Sequence, residues 1–178
     1  MKTLFTFIMS FSICSVGFSQ LSDAQLKRLE YQVDSAASIL HEKLITKSES
    51  LLSTQFTVDT FKVETLLAKK MRVDTSQAEH ITAINEAEIQ YTFLMDKYYS
   101  LLMNIYDEEG KKSIALAQKK WLKYRDDEIK MTERLYDEEK KGNLISKEIA
   151  KATENLELTK ERVVELYKHI SGGGTSVK

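Results

Sequence analysis

Apolar residues recur at alternating steps of three and four over the second half of the chain. Three such stripes occupy residues 81–105, 114–135 and 145–170. Each stripe is interrupted once by a polar residue, and these residues are Glu88, Glu128 and Thr159. The spacing predicts three amphipathic α-helices, each of which buries one face.

Glycines mark the breaks between these helices, and the chain contains no proline. Gly110 follows the charged run DEEG and Gly142 follows EEKKG, so we expect each glycine to cap the end of a helix. Short breaks of this kind predict antiparallel neighbours. The sequence therefore predicts an antiparallel three-helix unit over residues 74–171, followed by a disordered tail over 172–178.

The helical pattern is weaker upstream of these three helices, over residues 21–73. Ser22 or Asp23 is expected to cap a long helix. The stretch STQFTVDTF, residues 53–61, is β-branched and polar, and it predicts an interruption before a short helix over 61–72. Residues 21–73 are therefore predicted to form a helical hairpin or arm, and the fold class is all-α.

The first nineteen residues are typical of a secretory signal peptide. Lys2 precedes an apolar run over 4–13 that is too short for a membrane span, and Gly17 and Ser19 are small residues before Gln20. A membrane anchor and a lipoprotein modified at Cys14 are alternatives that fit this stretch less well. We expect export to the periplasm or the extracellular space, with Cys14, the only cysteine, removed.

Composition limits the class of partner. Hydrophobic residues make up 42% of the chain, enough for a core, and the formal charge is −1. Loss of Lys2 brings the mature charge to −2. A basic surplus of the kind that binds nucleic acid is absent, and no further stretch of the sequence is apolar enough to span a membrane.

Candidate chemistry is sparse. His41, His80 and His169 are scattered, and the sequence has no glycine-rich phosphate loop or serine elbow. Adjacent acids at 107–109, 126–128 and 137–139 point in different directions on a helix, so three of them cannot ligate one ion. They are solvated faces or a patch that attracts a cationic partner. The sequence predicts no catalytic, metal or cofactor site.

The stretch AQKKWLKYRDDE holds the only tryptophan. On a helix Gln118, Trp121 and Arg125 are neighbours, and Trp121 and Tyr124 lie on the apolar stripe, so both aromatic residues are predicted to be core residues.

Arg125 is expected to stack on Trp121 and to reach a carboxylate on another helix. Glu88 is the first candidate for that carboxylate, because it interrupts an apolar stripe, and Glu161 is the second.

The same stretch resembles the AQ-x-x-W-x-x-[YF]-R-D signature of the LprI-like lysozyme-inhibitor family. The signature residues are Gln118, Trp121, Tyr124, Arg125 and Asp126. An LT-x-x-R element at Leu158, Thr159 and Arg162 extends the resemblance, which covers about residues 82–170. It implies a small exported helical domain that inhibits lysozyme by protein–protein binding.

The chain departs from this family at its cysteines. The resemblance implies cysteines where this sequence has Ile129 and residues near Ala83 and Glu154. A disulfide contributes about 2–4 kcal/mol, so we expect packing alone to hold this fold.

Two hypotheses for function follow. The first is an exported, non-enzymatic interaction protein that binds lysozyme or another basic protein, with the turns at 107–110 and 141–143 as candidate contacts. The alternative is a structural or chaperone-like cell-envelope protein whose N-terminal hairpin forms oligomers through Leu26, Leu40 and Leu51.

Overall fold

The structure is a computed structural model that describes residues 21–138 and 144–173. These residues form five helices and no strand, which confirms the all-α prediction. The helices are α1 (Asp23–Thr46), α2 (Leu51–Val73), α3 (Gln77–Met103), α4 (Glu108–Glu138) and α5 (Leu144–Gly173). No helix in these two ranges is long and apolar enough to cross a membrane.

Several predictions fall outside the described residues. The signal peptide, the turn at 141–143 and its Gly142 cap lie there, as does most of the predicted tail. The first two residues of that tail do not fit the prediction, because α5 continues to Gly173.

Serine caps begin the first three helices. The predicted Ser22 cap is confirmed, since its Oγ accepts the Gln25 N–H in a capping box. Ser50 and Ser76 cap α2 and α3 in the same way, by accepting the backbone N–H three residues on.

The predicted interruption at 53–61 is wrong, because α2 is one continuous helix. Thr60 donates to the Phe56 carbonyl oxygen at 2.9 Å, so its hydroxyl is satisfied inside the helix. Thr54 is fully buried. Tertiary packing has overridden the weak helix propensity of threonine. The chain breaks earlier instead, between α1 and α2, where Ser48 has a φ of 60°.

The prediction that Gly110 ends a helix is also wrong. Gly110 lies in the first turn of α4, and α3 has already ended at Met103. Asp107 explains why Gly110 begins a helix here. Its Oδ1 accepts the Gly110 N–H at 2.9 Å and so caps α4.

The packing centres on α3 and α5, whose mutual interface is the most extensive in the molecule. These two helices run parallel, since Glu88 meets Thr159 and Tyr98 meets Tyr167. Helix α2 runs antiparallel to α3, with α1 packed on its outer side. Helix α4 returns antiparallel along α5 and contacts α3 only slightly.

The core lies between α2, α3 and α5. Tyr98, Val163 and Leu166 are fully buried there. Phe56 of α2 stacks on Tyr167 with ring centroids 3.9 Å apart and meets Tyr98 edge-on at 5.3 Å. Helix α2 therefore shares its core with the three-helix unit. The division of the chain at residue 73 stays a prediction.

A polar cluster ties the same three helices together. Glu64 of α2 accepts a hydrogen bond from the buried Tyr91 of α3 at 2.6 Å. It also forms an ion pair with Lys160 of α5 at 2.8 Å. Burial opposes ionisation of Glu64, yet the hydrogen bonds from Lys160 and Tyr91 outweigh it and lower its pKa. Burial and the bond to Glu64 raise the pKa of Tyr91. The polar cluster therefore contains Glu64 as a carboxylate and Tyr91 as a neutral phenol.

Candidate functional site

The family signature lies on α4, and the structure divides its residues between two environments. Gln118 is buried, and Trp121 packs partly buried against the main core. Tyr124 is 50% exposed, and Asp126 is exposed as well.

The prediction that Tyr124 is a core residue is therefore wrong. It lies at the edge of the α4 stripe, and α3 contacts α4 too little to cover that edge. The same reason leaves two later stripe residues exposed, Met131 and Leu135.

A pair of hydrogen bonds joins the signature to α5. The Nε and Nη2 atoms of Arg162 both donate to Gln118 Oε1, at 3.0 and 2.8 Å. The guanidinium carbon of Arg162 lies 5.5 Å from the centroid of the Trp121 ring. Gln118, Trp121 and Arg162 therefore form one contact between α4 and α5, which we call the clasp. It unites the AQ-x-x-W and LT-x-x-R elements of the sequence.

Arg125 takes a smaller part than the sequence predicted. Its guanidinium carbon lies 5.6 Å from the centroid of the Trp121 ring, so the predicted stacking is confirmed. Its acidic neighbour is Asp126 on its own helix, with Nη2 and Oδ1 3.6 Å apart, and its buried Nε has no hydrogen-bond partner. Arg125 is not the tie to another helix.

The predicted partner of Arg125 is bound elsewhere. Glu88 accepts hydrogen bonds from Thr159 of α5 and from Thr92 of its own helix, both at 3.2 Å. Glu161, the second candidate, is exposed on α5. The signal for the true pairing was present in the sequence, because Glu88 and Thr159 are the polar gaps of two stripes that face each other.

A second tie lies further along α4 and α5. Glu154 accepts hydrogen bonds from Thr132 at 3.0 Å and from the Tyr136 hydroxyl at 2.7 Å. Glu154 stands near a position at which the resemblance implies a cysteine, and Ile129, the other such position on α4, lies one turn before Thr132. Polar contacts thus join α4 to α5 in the region where the resemblance implies cysteines.

The turn between α3 and α4 presents aromatic and acidic side chains to solvent. Ile105 and Tyr106 are 41% and 39% exposed. They are followed by three exposed acids, Asp107, Glu108 and Glu109. A Cβ atom on Gly110 would lie 2.8 Å from the Tyr106 Cβ, so the glycine allows Tyr106 to pack against the first turn of α4. The Asp107 cap and this close approach therefore both fix the turn against the start of α4.

No group of three His, Cys, Asp or Glu side chains within residues 21–138 and 144–173 is arranged to hold a metal ion. His80 lies by the α2–α3 connection, with Nε2 3.3 Å from the Met71 carbonyl oxygen.

Comparison with known proteins gives one family. No curated protein and no solved structure matches the chain significantly. The family model described as Lysozyme inhibitor LprI matches residues 68–166, which are 99 of the 178 residues. The match includes the end of α2, all of α3 and α4, and the part of α5 that completes the clasp. The chain belongs to the LprI lysozyme-inhibitor family.

Proposed function

We propose that this protein is an exported binding protein that inhibits a cationic lysozyme by covering its active-site cleft. The observation that carries the proposal is the family match over residues 68–166. The protein acts in this proposal by binding, with its own side chains taking no part in bond making or breaking. Export rests on the signal-peptide pattern of residues 1–19.

The α3–α4 turn is the surface that fits this task best. Interface anchors are typically aromatic residues, and Tyr106 of this turn is an aromatic residue that is 39% exposed. Its conformation is fixed by the Asp107 cap and by Gly110, so little ordering entropy is lost when a partner binds.

The charge of the turn complements a basic enzyme. Glu109 follows Asp107 and Glu108 at the N-terminus of α4. Lys111 neutralises Glu108 in part, with Nζ and Oε1 2.8 Å apart. Glu109 has no such partner among the ion pairs of the described residues, so its carboxylate is available to a cationic surface.

The test is an activity assay. The chain from Gln20 to Lys178 is added to a c-type and a g-type lysozyme, and lysis of cell walls is followed at low and high salt. Stoichiometric inhibition that weakens as salt rises is expected, since rim charges are screened. If neither enzyme slows at low salt, the proposed function is wrong.

Variants of the turn locate the contact. Tyr106→Ser combined with Glu109→Lys should weaken inhibition by about 10- to 100-fold, the equivalent of one anchor residue. Asp107 is left unchanged because it caps α4. Glu30→Lys combined with Glu42→Lys, on exposed positions of α1, is the control and should inhibit normally. Full inhibition by the turn variant would move the contact to another surface.

Exposed apolar residues of α1 and of the start of α2 favour a second function, in which the protein holds unfolded clients in the cell envelope. Tyr31 and Ile39 of α1 and Leu51 of α2 are large apolar residues that are mostly exposed. Suppression of aggregation of a denatured client, lost when these three residues become serine, would favour that function. Inhibition of lysozyme should be unaffected by the same three changes.

A further inference from the structure

Helix α4 carries an apolar stripe on a face that no described helix covers. Leu116, Tyr124, Met131 and Leu135 are 55%, 50%, 47% and 60% exposed. They recur at steps of eight, seven and four, which place them on one side of an α-helix. The face toward α5 is a different one, marked by the buried Gln118 and Thr132. Helix α4 therefore has two apolar faces, and the other described helices cover only one of them.

The charge of α4 is divided along its length. Residues 110–125 contain six basic side chains and no acid, whereas residues 126–138 contain six acids and two basic side chains. Beside the stripe the same division holds. Lys120 and Lys123 are exposed near its N-terminal half, and Asp127 and Glu138 are exposed near its C-terminal half.

We infer that this stripe binds the same stripe of a second copy, with the two α4 helices antiparallel. A two-fold axis near the middle of the helix would place the basic half of each copy opposite the acidic half of the other, so the charge complementarity is satisfied twice. A parallel pair would set like charges against each other. The charge division therefore selects the antiparallel dimer.

The length of α4 suits such a contact. Its 31 residues span roughly 45 Å at a rise of about 1.5 Å per residue. Two such helices in contact bury an interface near the lower end of the range for specific dimers, about 1,200 Å² in total. The dimer is accordingly a weak, concentration-dependent one. Its surface is separate from the turn proposed to contact lysozyme, so either proposal can fail without the other.

The first measurement is sedimentation velocity of the chain from Gln20 to Lys178 across roughly 5–300 µM, a range that brackets micromolar affinities. A shift from monomer to dimer is expected. Tyr124→Ser combined with Leu135→Ser should weaken the dimer by about 10-fold or more, while the helical circular dichroism is unchanged. A monomer throughout the range would overturn the inference and leave the stripe to a different partner.

Charge reversal tests the antiparallel geometry. One variant carries Lys120→Glu and Lys123→Glu, and the other carries Asp127→Lys and Glu138→Lys. Each variant alone should remain monomeric, because an antiparallel pair of its copies sets like charges against each other. An equal mixture should dimerise again, since each altered half meets its complement in the other variant.

A matched mixture controls for non-specific attraction. Lys27→Glu combined with Lys43→Glu changes the net charge of the chain equally, but on exposed positions of α1. This variant alone should dimerise as the unchanged chain does. Mixed with the Asp127→Lys and Glu138→Lys variant, it should form less heterodimer than the complementary mixture, because its unaltered Lys120 and Lys123 face the introduced lysines. Equal heterodimer in the two mixtures, or no dimer in the complementary one, would overturn the antiparallel α4 pairing.

Discussion

Two interfaces of α5 differ in what holds them. On one side α5 meets α2 and α3 through fully buried residues such as Tyr98, Val163 and Leu166. On the other side α4 lies along α5 with few buried side chains, and polar contacts join the two helices at the clasp and at Glu154. The first interface resembles the core of a domain. The second is an attachment of one helix to another, held by polar contacts.

The difference explains what the family signature reports. Gln118 and Trp121, two residues of the signature, hold α4 against α5, and Arg162 completes that contact from α5. The signature therefore marks how α4 is fixed and in which register. Partner binding is proposed on surfaces that the attachment leaves free, the turn before α4 and its outer face.

The largest expected effect separates the core from the outer face of α4. Leu166→Ala removes a fully buried side chain from the core and should lower the free energy of unfolding by about 2–5 kcal/mol. Leu116→Ala, on the outer face of α4, should change it by no more than about 0.5 kcal/mol. Urea denaturation of both variants measures the contrast. Similar losses for the two leucines would mean that α4 is part of the core.

Most of the fold could be predicted from the sequence. The stripes over 81–105, 114–135 and 145–170 predict three helices in the right places, because apolar residues at steps of three and four are typical of a helix with one apolar face. The continuity of α2 could not be predicted, since it depends on long-range packing of Phe56 against Tyr98 and Tyr167. Local propensity at residues 53–61 points the other way.

The candidate site was predicted less well, for a related reason. Periodicity identifies a stripe but not which parts of it another helix covers, so Tyr124 was placed in the core. Proximity along the helix favoured Arg125 as the tie, whereas the tie depends on the register of α4 against α5, which brings Arg162 to Gln118. The cue was the arginine of the LT-x-x-R element.

The clasp can be tested against the alternative that Arg125 ties α4 to another helix. Arg162→Met removes the two hydrogen bonds to Gln118, together with an exposed one to Glu165, and leaves the buried Gln118 oxygen unpaired, so it should cost about 1.5–3 kcal/mol. Arg125→Met removes a weak ion pair with Asp126 and should cost between nothing and about 1 kcal/mol. Denaturation measures both losses. Emission of Trp121, the only tryptophan, should shift to the red in the Arg162 variant if α4 loosens.

The structure predicts that Arg162→Met lowers the free energy of unfolding more than Arg125→Met does. A larger loss for Arg125→Met than for Arg162→Met would make Arg125 the interhelical tie. Arg162→Lys is the conservative variant, and it should recover only part of the loss because lysine lacks the planar group that reaches Gln118 through two nitrogens.

The smallest expected effect concerns the polar cluster between α2, α3 and α5. The pKa of Glu64 is lowered in the folded protein from its ordinary value of 4.5, because the hydrogen bonds from Lys160 and Tyr91 outweigh the opposing effect of burial. The stability that this carboxylate contributes is therefore fully present above pH 4.5 and is lost as the pH falls through the lower folded pKa. Glu64→Gln should cost about 0.5–1 kcal/mol at pH 7, a modest value because the half-exposed carboxylate is screened by solvent.

The pH dependence distinguishes this cluster from a merely structural glutamate. The difference in unfolding free energy between the unchanged chain and Glu64→Gln should shrink as the pH falls from 4.5 through the lower folded pKa of Glu64, because both chains then carry a neutral side chain at this position. Glu161→Gln, on an exposed position of α5, is the matched control and should show little difference across the same pH range. A Glu64→Gln loss that did not change as the pH falls below 4.5 would mean that the carboxylate charge contributes nothing and that amide packing alone sets the cost.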